Sequence, residues 1–272
     1  MFSIVILTYN EENNLQSCLD SIKWCEDVVV IDSYSGDRTV EIANNNGARV
    51  YQNKFSNFGV QRNFGNKKVK SKWVFHLDAD EHFNSDLKAE CESVIQKYQF
   101  GAFMVPSKMM LFNKWIKYAS SYPVYQMRFH RIGDANFIQK GHGQRETDLK
   151  KGLGFLETPY KHFSYQKGMT SWLLKHVKYA EEEAIEFEKD NNKIKIGNLF
   201  SKNYLERRRE IKRLSYKAPF KPLLRFLYFY IFKMGFRDGK VGYEYCKMQF
   251  IFEAMIGIKL FELQQNKKGI KS

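Results

Sequence analysis

The sequence predicts an α/β protein in which a doubly wound, mostly parallel sheet is followed by a C-terminal helical, basic extension. Short apolar runs alternate with amphipathic helical patterns through the first half of the chain, as is typical of parallel strands connected by helices. Positive charge is concentrated in the second half. Residues 193–240 contain fourteen Lys or Arg and three acidic residues, so they supply most of the formal net charge of +14. We therefore predict an α/β domain over residues 1–165 and a helical region, rich in basic and aromatic residues, over residues 166–272.

The composition indicates a globular protein with an anionic partner. Of the 272 residues, 43% are hydrophobic and 16% are aromatic, which is enough for a large core. The excess of positive charge predicts binding to nucleic acid, a membrane surface or a phosphorylated substrate. The four cysteines have no metal-binding spacing and indicate a reducing compartment. We expect no signal peptide, and no apolar run approaches the ~20 residues of a membrane-spanning helix.

The first strand and helix are predicted near the N-terminus. Residues 2–7 form an apolar run, as expected for a strand that is covered on both faces. Asn10 is a candidate N-cap, because its side chain can accept a hydrogen bond from the first helical turn. Leu15, Cys18, Leu19 and Ile22 then recur at the spacing of an amphipathic helix.

A second strand and helix follow in the same order. Residues 28–31 form a buried strand that ends at Asp32. Asp37 is expected to cap the next helix, and Gly47 is expected to end it. Further strands are predicted at residues 48–51 and 72–77.

Three predicted strand ends carry polar groups. These are Thr8-Tyr9-Asn10, Asp32 and Asp78-Ala79-Asp80. Because ligands bind outside the carboxyl ends of parallel strands, we expect these groups to form one site. The sequence contains neither GxGxxG nor GxxxxGK[ST], so glycine-rich phosphate binding is not predicted.

Asp78 and Asp80 form a D-x-D motif directly after a buried strand. Two carboxylates at this spacing point to the same side and suit Mg²⁺ or Mn²⁺, which bind through one or two carboxylates and substrate phosphates. In the alternative, Asp80 and Glu81 cap the helix that begins near Ser85, while Asp78 pairs with a Lys. His76 and His82 flank the acids, but their spacing matches no zinc pattern, so a structural role is favoured.

Four segments of this chain resemble inverting family-2 glycosyltransferases with the GT-A fold. They are SIVILTYNEENNLQSCLDSI, VVVIDSYSGDRTVEIA, FGVQRNFG and WVFHLDADE, in this order. The likeness is greatest to bacterial enzymes that build lipopolysaccharide core or exopolysaccharide. It covers residues 2–146, and more loosely the segments KHVKYAEEEA and FRDGKVGYEYC.

The resemblance implies a function. The enzyme would move a sugar from a nucleoside-diphosphate sugar to a saccharide hydroxyl of a lipid-linked glycan, such as lipopolysaccharide core or an exopolysaccharide precursor. The expected donor is a UDP-sugar, and the expected cofactor is Mn²⁺ or Mg²⁺. A metal would neutralise the charge on the departing diphosphate, and a carboxylate base would activate the acceptor hydroxyl.

The resemblance also implies roles for individual residues. The implied donor contacts are Thr8, Tyr9 and Glu11 around the nucleotide, Asp32 at the base or ribose, Arg62 at the base or diphosphate, Asp78 and Ala79 near the ribose, and Asp80 on the metal. Tyr9 has the alternative of a core aromatic residue, and Arg62 that of a solvated charge.

Glu146 is the predicted catalytic base. The acceptor side must come from the chain beyond the D-x-D motif, where residues 141–146 read GHGQRE. Two glycines beside His142 permit close backbone approach, and Arg145 is placed either to keep Glu146 ionised or to contact phosphate. This segment resembles the His-Glu block of lipopolysaccharide-core enzymes, although here the two residues are separated. In the alternative, Arg145 and Glu146 are a surface pair on a turn, and Asp134 or Asp148 is the base.

The basic region predicts contact with an anionic membrane surface. Residues 221–233 (KPLLRFLYFYIFK) mix basic and bulky apolar side chains, a pattern that suits the membrane interface. We expect a cytoplasmic protein, peripheral on the cytoplasmic face of the inner membrane. In the alternative, these residues and an apolar helix at 248–263 only pack as a helical subdomain.

Two other functions remain as alternatives. A non-enzymatic, basic protein that binds nucleic acid or membrane would explain the charge. The sequence has no helix-turn-helix, zinc-finger or RNP signature, so we expect no nucleic acid partner. A sugar-1-phosphate nucleotidyltransferase would need a glycine-rich N-terminal loop, which the sequence lacks.

Overall fold

The computed structural model describes residues 1–140, 143–166, 168–189, 214, 218 and 220–269. They divide into two compact units. The α/β unit comprises Met1–Trp115 and Ser121–Gln166, and the helical unit comprises Ile116–Ser120 and Lys167–Ser272. The predicted α/β class with a helical C-terminal part is confirmed.

The α/β unit is built on one large sheet and a separate hairpin. Ten strands form the sheet, in the order β3-β2-β1-β4-β8-β6-β12-β5, with β7 and β11 paired to β6. The strands are β1 (Ser3–Thr8), β2 (Val28–Asp32), β3 (Arg49–Gln52), β4 (Trp73–Asp78), β5 (Glu81–His82), β6 (Ala102–Leu111), β7 (Lys114–Trp115), β8 (Val124–Arg131), β11 (Leu153–Phe155) and β12 (Tyr160–His162). The hairpin consists of β9 (Asn136–Lys140) and β10 (Gly143–Thr147).

The first four strands are parallel, as predicted. In their register Thr8 lies opposite Asp32, and Leu7 lies opposite Asp78, so the three strand ends are level. After β4 the sheet is mixed, because β8 enters antiparallel between β4 and β6. The predicted meeting of polar residues at one edge therefore occurs.

Four helices cover this sheet: α1 (Leu15–Asp20), α2 (Thr39–Asn45), α3 (Phe58–Asn66) and α4 (Ser85–Lys97). Asn10 does not cap α1, so that prediction was wrong. Asn14 occupies the N-cap position, whereas Asn10 has a φ of 53° and its side-chain oxygen accepts from Gly36 N at 2.9 Å. Asn tolerates this left-handed conformation and so forms a turn where a helix start was expected.

The other helix ends are closer to prediction. The carboxylate of Asp37 accepts from Thr39 N at the start of α2, although Arg38 occupies the N-cap position itself. Gly47 follows α2 with a φ of 75°, as expected for a residue that ends a helix. Helix α4 is capped by the side chain of Asn84, which accepts from Leu87 N. Asp80 and Glu81 are therefore not its caps.

The core of the α/β unit lies on both faces of the sheet. On one face, aromatic side chains from β4 and β8 interlock with Phe2, which precedes β1, and Trp73 stacks on Phe129 at 5.0 Å between ring centroids. Full burial of one large apolar side chain contributes about 1.5–3 kcal/mol. On the other face, α3 approaches β1 at Gly65, where a Cβ would lie 2.6 Å from a methyl group of Val5.

The helical unit contains α5 (Gly168–Lys189), α6 (Lys221–Leu227) and α7 (Gly239–Gly269), with a π-helical turn at Tyr228–Phe232 and a 3₁₀ turn at Gly235–Asp238. Apolar residues of α5 and α7 pack together, chiefly Ala180, Ala184, Phe187, Ile256 and Leu260. The predicted helix at 248–263 thus lies in α7 and packs within this unit. No helix among the described residues is long and apolar enough to span a bilayer.

Candidate functional site

Thr8 and Asp32 are joined at the ends of β1 and β2. The Thr8 hydroxyl donates to Asp32 Oδ1 at 3.0 Å, and Ser35 donates to the same carboxylate from its backbone N–H at 2.9 Å and its hydroxyl at 2.5 Å. Asp32 is fully buried. It holds the loop after β2 in place, and its predicted contact with a base or ribose stays a prediction.

Tyr9 and Glu11 lie on the loop that follows β1. The Tyr9 side chain is 60% exposed, so its alternative as a core aromatic residue was wrong. The backbone N–H of Glu11 donates to the Thr39 hydroxyl at 2.8 Å, and its carboxylate accepts from Asn14 at 2.7 Å. The loop is therefore anchored while its aromatic ring faces solvent.

Arg62 and Arg128 hold the carboxylates that follow β4. Arg62 donates to Asp78 Oδ1 at 2.8 Å, and Arg128 donates to Asp78 Oδ2 at 2.8 Å and to Glu81 Oε1 at 2.6 Å. The other oxygen of Glu81 accepts from Asp78 N. Both arginines are almost fully buried, so the alternative of Arg62 as a solvated charge was wrong, and Asp78 pairs with arginines rather than with a Lys.

This network contains equal numbers of positive and negative groups, which makes its burial tolerable. Burial alone would raise the pKa of Asp78, but Arg128 and Arg62 outweigh it and hold that pKa well below its usual range. Burial also raises the pKa of Glu81, to about 7, and Asp78 adds to this against the opposing charge of Arg128. Of the two carboxyl groups, Asp78 is therefore the one that stays ionised at neutral pH.

Sequence reasoning missed Arg128, Glu81 and His162 as members of the site. Arg128 stands in the segment YQMRFHR, where a charge lies between apolar residues of one strand. A charge in such a position is almost never buried without a partner, and this signal was available. His162 gave no comparable signal, because its strand β12 is three residues long.

Asp80 and His162 form the part of the site that suits a metal. Asp80 Oδ2 lies 3.5 Å from His162 Nε2, and both side chains are 29% exposed. Burial disfavours a charge on His162, but Asp80, Glu81 and Asp78 outweigh it and raise its pKa to about 9. A cation is therefore stabilised at this point. The neighbouring Ala79 is buried and has only its backbone to offer a ligand.

Among the described residues, no group of three or more His, Cys, Asp or Glu is arranged to hold a metal ion. Asp80 nevertheless suits Mg²⁺ or Mn²⁺, because such ions take one or two protein carboxylates and complete their shell with water and phosphate oxygens. His162 can join as a ligand once it gives up its proton to the metal. Asp78, predicted with Asp80 as a ligand, has both oxygens engaged by guanidinium groups. Asp80 is therefore the better placed carboxylate.

His76 and His82 have structural surroundings, as favoured above. His76 is buried and stacks on His130 with 5.4 Å between ring centroids, and its Nε2 lies 2.8 Å from Asn66 Oδ1. His82 packs on the ring of Phe163. Neither belongs to a zinc cluster among the residues that the structure describes.

Glu146 faces the same cavity as the arginine–carboxylate network. The cavity has a volume of about 310 Å³ and is lined by Phe58, Arg62, Asp78, Met104, Tyr125, Gln126, Met127, Phe137 and Glu146. Glu146 lies in β10 opposite Phe137, not on a turn, so its alternative as part of a surface turn was wrong. His142 lies outside the described residues.

The other two candidate bases have partners elsewhere. Asp134 accepts from the Tyr98 hydroxyl at 2.7 Å, and Asp148 accepts from Asn136 at 3.2 Å. The fold thus brings Glu146, rather than either of these acids, to Asp78 and Arg62.

Comparison with known families identifies the α/β unit. Residues 3–152, more than half of the chain, match the family model described as Glycosyl transferase family 2. The chain belongs to this family.

Individual relatives match over shorter stretches. An uncharacterized glycosyltransferase of Rickettsia bellii is 33% identical over 93 residues, which are 34% of this chain and 32% of the relative. The lipopolysaccharide core biosynthesis glycosyltransferase LpsC of Rhizobium meliloti is 28% identical over 91 residues, 32% of this chain and 34% of that protein. The chain therefore spans about a third of the length of the curated relatives it matches.

Among solved structures, this chain is similar to glucosyl-3-phosphoglycerate synthase from Mycobacterium tuberculosis, crystallised with Mn²⁺, uridine diphosphate and glucosyl-3-phosphoglycerate. The likeness has a TM-score of 0.35 and 20% sequence identity, and it covers 40% of this chain and 44% of that one.

Proposed function

We propose that the protein is a metal-dependent, inverting glycosyltransferase that moves a sugar from a nucleoside-diphosphate sugar to a saccharide hydroxyl. The observation that carries this proposal is the cavity that joins Asp78 and Arg62 to Glu146. It lies in the same unit as the level ends of β1, β2 and β4, and its volume is at the lower end of the usual range for ligand pockets.

The donor nucleotide binds along the ends of the first strands. Tyr9 is exposed and offers a ring for stacking on a base, and the loop that carries it is anchored through Glu11. Thr8 and Asp32 fix the neighbouring loop. Uridine diphosphate is the donor form that the family resemblance implies, and a UDP-sugar is the first donor to test.

Mg²⁺ or Mn²⁺ would be held by Asp80 and His162 together with the donor diphosphate. When bound, it would neutralise negative charge on the diphosphate leaving group. Asp78 remains paired with Arg62 and Arg128 and fixes the backbone from which Asp80 projects. Asp80 thus takes part in catalysis through the metal. Asp78 and Ala79 form part of the binding site for the donor.

Glu146 is the catalytic base. Its carboxylate takes the proton of the acceptor hydroxyl while that oxygen forms a bond to the anomeric carbon. The bond from this carbon to the diphosphate breaks, and the electron pair leaves with the diphosphate. Attack from the face opposite the leaving group inverts the anomeric configuration. Such a base contributes about 10²–10⁴-fold to the rate.

The acceptor we propose is a lipid-linked glycan, such as a lipopolysaccharide core or an exopolysaccharide precursor. The name of the relative LpsC supports the first of these. Such an acceptor would place the enzyme in the cytoplasm, peripheral on the inner face of the inner membrane. Family membership disfavours the alternatives of a nucleic-acid binder and a nucleotidyltransferase.

A donor panel tests the proposal. The full chain is incubated with UDP-, GDP- and dTDP-sugars, a mixture of lipid-linked acceptors and Mn²⁺, and release of the free nucleotide is measured. We expect release from one donor class that stops when the metal is chelated. Equal, metal-independent release from every donor, or none from any, would overturn it.

A further inference from the structure

The helical unit exposes a row of apolar side chains along α6 and the π turn. We name these residues the apolar stripe: Phe220, Leu223, Leu224, Tyr228, Ile231 and Phe232. Their exposed fractions run from 47% to 78%. Their spacing of three or four residues puts them on one side of the helical segment. Single exposed apolar residues are ordinary, but six along one side are not.

The stripe is separate from the side of the segment that packs inward. Phe229 is only 3% exposed and contacts the ring of Tyr245. Phe226 and Tyr230 stack on each other, and both contact Tyr243 of α7. The segment therefore already has a packed aromatic side, and the stripe is a second apolar side that remains largely exposed.

Basic residues accompany the stripe, whereas its acidic neighbours are neutralised. Lys233 follows it directly, and Arg237 and Lys240 come five and eight residues after Phe232. The one acid between residues 220 and 240, Asp238, is buried, and its carboxylate accepts from three backbone N–H groups, those of Lys117, Tyr118 and Ala119. Glu253, on α7, is paired with Lys221 at 2.7 Å. The part of the chain that carries the stripe and the residues after it therefore has a net positive charge.

We infer that the apolar stripe inserts into the interfacial region of an anionic membrane, with α6 and the π turn lying along the surface. Apolar and aromatic side chains enter the boundary between headgroups and acyl chains, while adjacent Lys and Arg contact anionic headgroups. The segment is twelve residues long and no described helix can span a bilayer, so it lies on the membrane.

The charge argues for a membrane rather than for a second copy of the chain. In a symmetric dimer the same patch faces itself, so Lys233, Arg237 and Lys240 of the two copies would be brought together. Such like-charge contact is unfavourable, whereas anionic lipid complements it. The inference deepens the proposed function, because a lipid-linked acceptor requires an enzyme at the membrane surface.

Flotation of the full chain with vesicles tests the inference without any activity assay. The vesicles consist of phosphatidylcholine alone or of phosphatidylcholine mixed with phosphatidylglycerol. We expect binding to the mixed vesicles only, and weaker binding as salt rises. Leu224→Ser with Phe232→Ser should weaken binding by about tenfold or more, and so should Lys233→Gln with Lys240→Gln. Phe112→Ser changes an exposed apolar residue of the α/β unit and is the matched control.

The outcomes are distinct. Equal binding to both vesicle types, no binding to either, or full binding by the stripe variant would overturn the inference. If sedimentation velocity shows that the parent protein is a dimer and the stripe variant is a monomer, the stripe is instead the contact surface for a second copy of the chain. Circular dichroism checks that each variant is folded. If the stripe variant does not fold, vesicle binding by the Lys233→Gln, Lys240→Gln variant still tests the inference. Binding of UDP is measured in parallel, so failure of the proposed function is seen separately.

Discussion

Asn63 of α3 is hydrogen-bonded through both ends of its side-chain amide to the backbone of Phe137 in β9. Its Nδ2 donates to the carbonyl oxygen at 2.8 Å, and its Oδ1 accepts from the N–H at 3.0 Å. The two elements are also close at Gly59, where a Cβ would lie 3.0 Å from the backbone of Ile138. Because β10 pairs with β9 and places Glu146 opposite Phe137, this contact fixes the proposed base relative to Arg62.

Replacing Asn63 should therefore impair catalysis more than donor binding. Asn63→Ala leaves the backbone groups of Phe137 without partners and frees the hairpin to shift. Since a displacement of about 1 Å can cost up to ~10²-fold, we expect turnover to fall at least tenfold with little change in the Kd for UDP. Steady-state kinetics and calorimetry measure the two. Asn44→Ala, at an exposed position of α2, is the control, and equal kinetics in both variants would contradict the prediction.

Glu146→Gln keeps the size of the side chain but removes its basicity. If Glu146 is the base, kcat should fall by about 10²–10⁴-fold while the Kd for the donor is unchanged. Glu157→Gln changes an exposed glutamate of the same unit and should have no effect. Near-parental turnover in Glu146→Gln would move the role to Asp134 or Asp148.

Asp80→Asn should remove the effect of metal on nucleotide binding, because it neutralises the partly exposed carboxylate of the proposed metal pair. Titration of UDP with and without Mn²⁺ measures this, and we expect tighter binding with metal only in the parent. His162→Gln should act in the same direction. Asp86→Asn, at an exposed position in α4, is the control. A variant whose UDP binding responds to Mn²⁺ as the parent does would rule out the metal site.

Arg128→Met should destabilise the fold, because it removes a charged partner from the fully buried carboxylate of Glu81 and from the partly exposed carboxylate of Asp78. Breaking a buried pair from one side costs about 3–5 kcal/mol. Urea denaturation measures the free energy of unfolding. Glu81→Gln in the same chain should restore part of the loss, since one unpaired carboxylate is then neutral. A single variant as stable as the parent would show that the network contributes no stability.

His130 should make the protein less stable in acid. Burial lowers its pKa from 6.5 to about 3, and the nearby Arg62 adds to this. Between these values the unfolded chain binds a proton that the folded chain does not, so the free energy of unfolding decreases as the pH falls from about 6.5 toward 3. This residue contributes a slope of about 1.4 kcal/mol per pH unit. His130→Phe keeps an aromatic ring beside His76 and should reduce the slope by that amount in denaturation at several pH values; an unchanged slope would contradict the assignment.

The sequence permitted part of this site to be predicted because parallel strands end at a common edge. Thr8, Asp32 and Asp78 each stand at the end of an apolar run that was predicted to be a parallel strand. Their proximity at one edge of the sheet could therefore be inferred. Arg128 and His162 could not be placed in this way. Arg128 lies on β8, which enters the sheet antiparallel between β4 and β6, and His162 lies on the three-residue strand β12, which pairs on the far side of β6. The pairing of such strands depends on contacts distant in the chain, which local patterns do not encode.

The misplaced helix start at Asn10 has a different cause. The residues of the loop after β1 have a composition that suits a helix N-terminus, with Glu11 and Glu12 following Asn10. The loop is instead held by hydrogen bonds to the segment after β2, from Asn10 N to Ser35 and from Glu11 N to Thr39. Contacts between the two loops thus override the local preference of the sequence.

The carboxylate of Asp238 has a consequence for how this protein can be divided. The five residues Ile116–Ser120 belong to the helical unit, although the chain on both sides, up to Trp115 and from Ser121, belongs to the α/β unit. This segment is a short excursion of the chain into the helical unit. Asp238 binds the backbone of that short excursion, in which Ile116 and Ala119 are fully buried. A fragment that ends at Gln166 would carry the excursion without its acceptor and with its apolar side chains in water. The helical unit is therefore discontinuous in the sequence, and no single cut in the gene separates the two units cleanly.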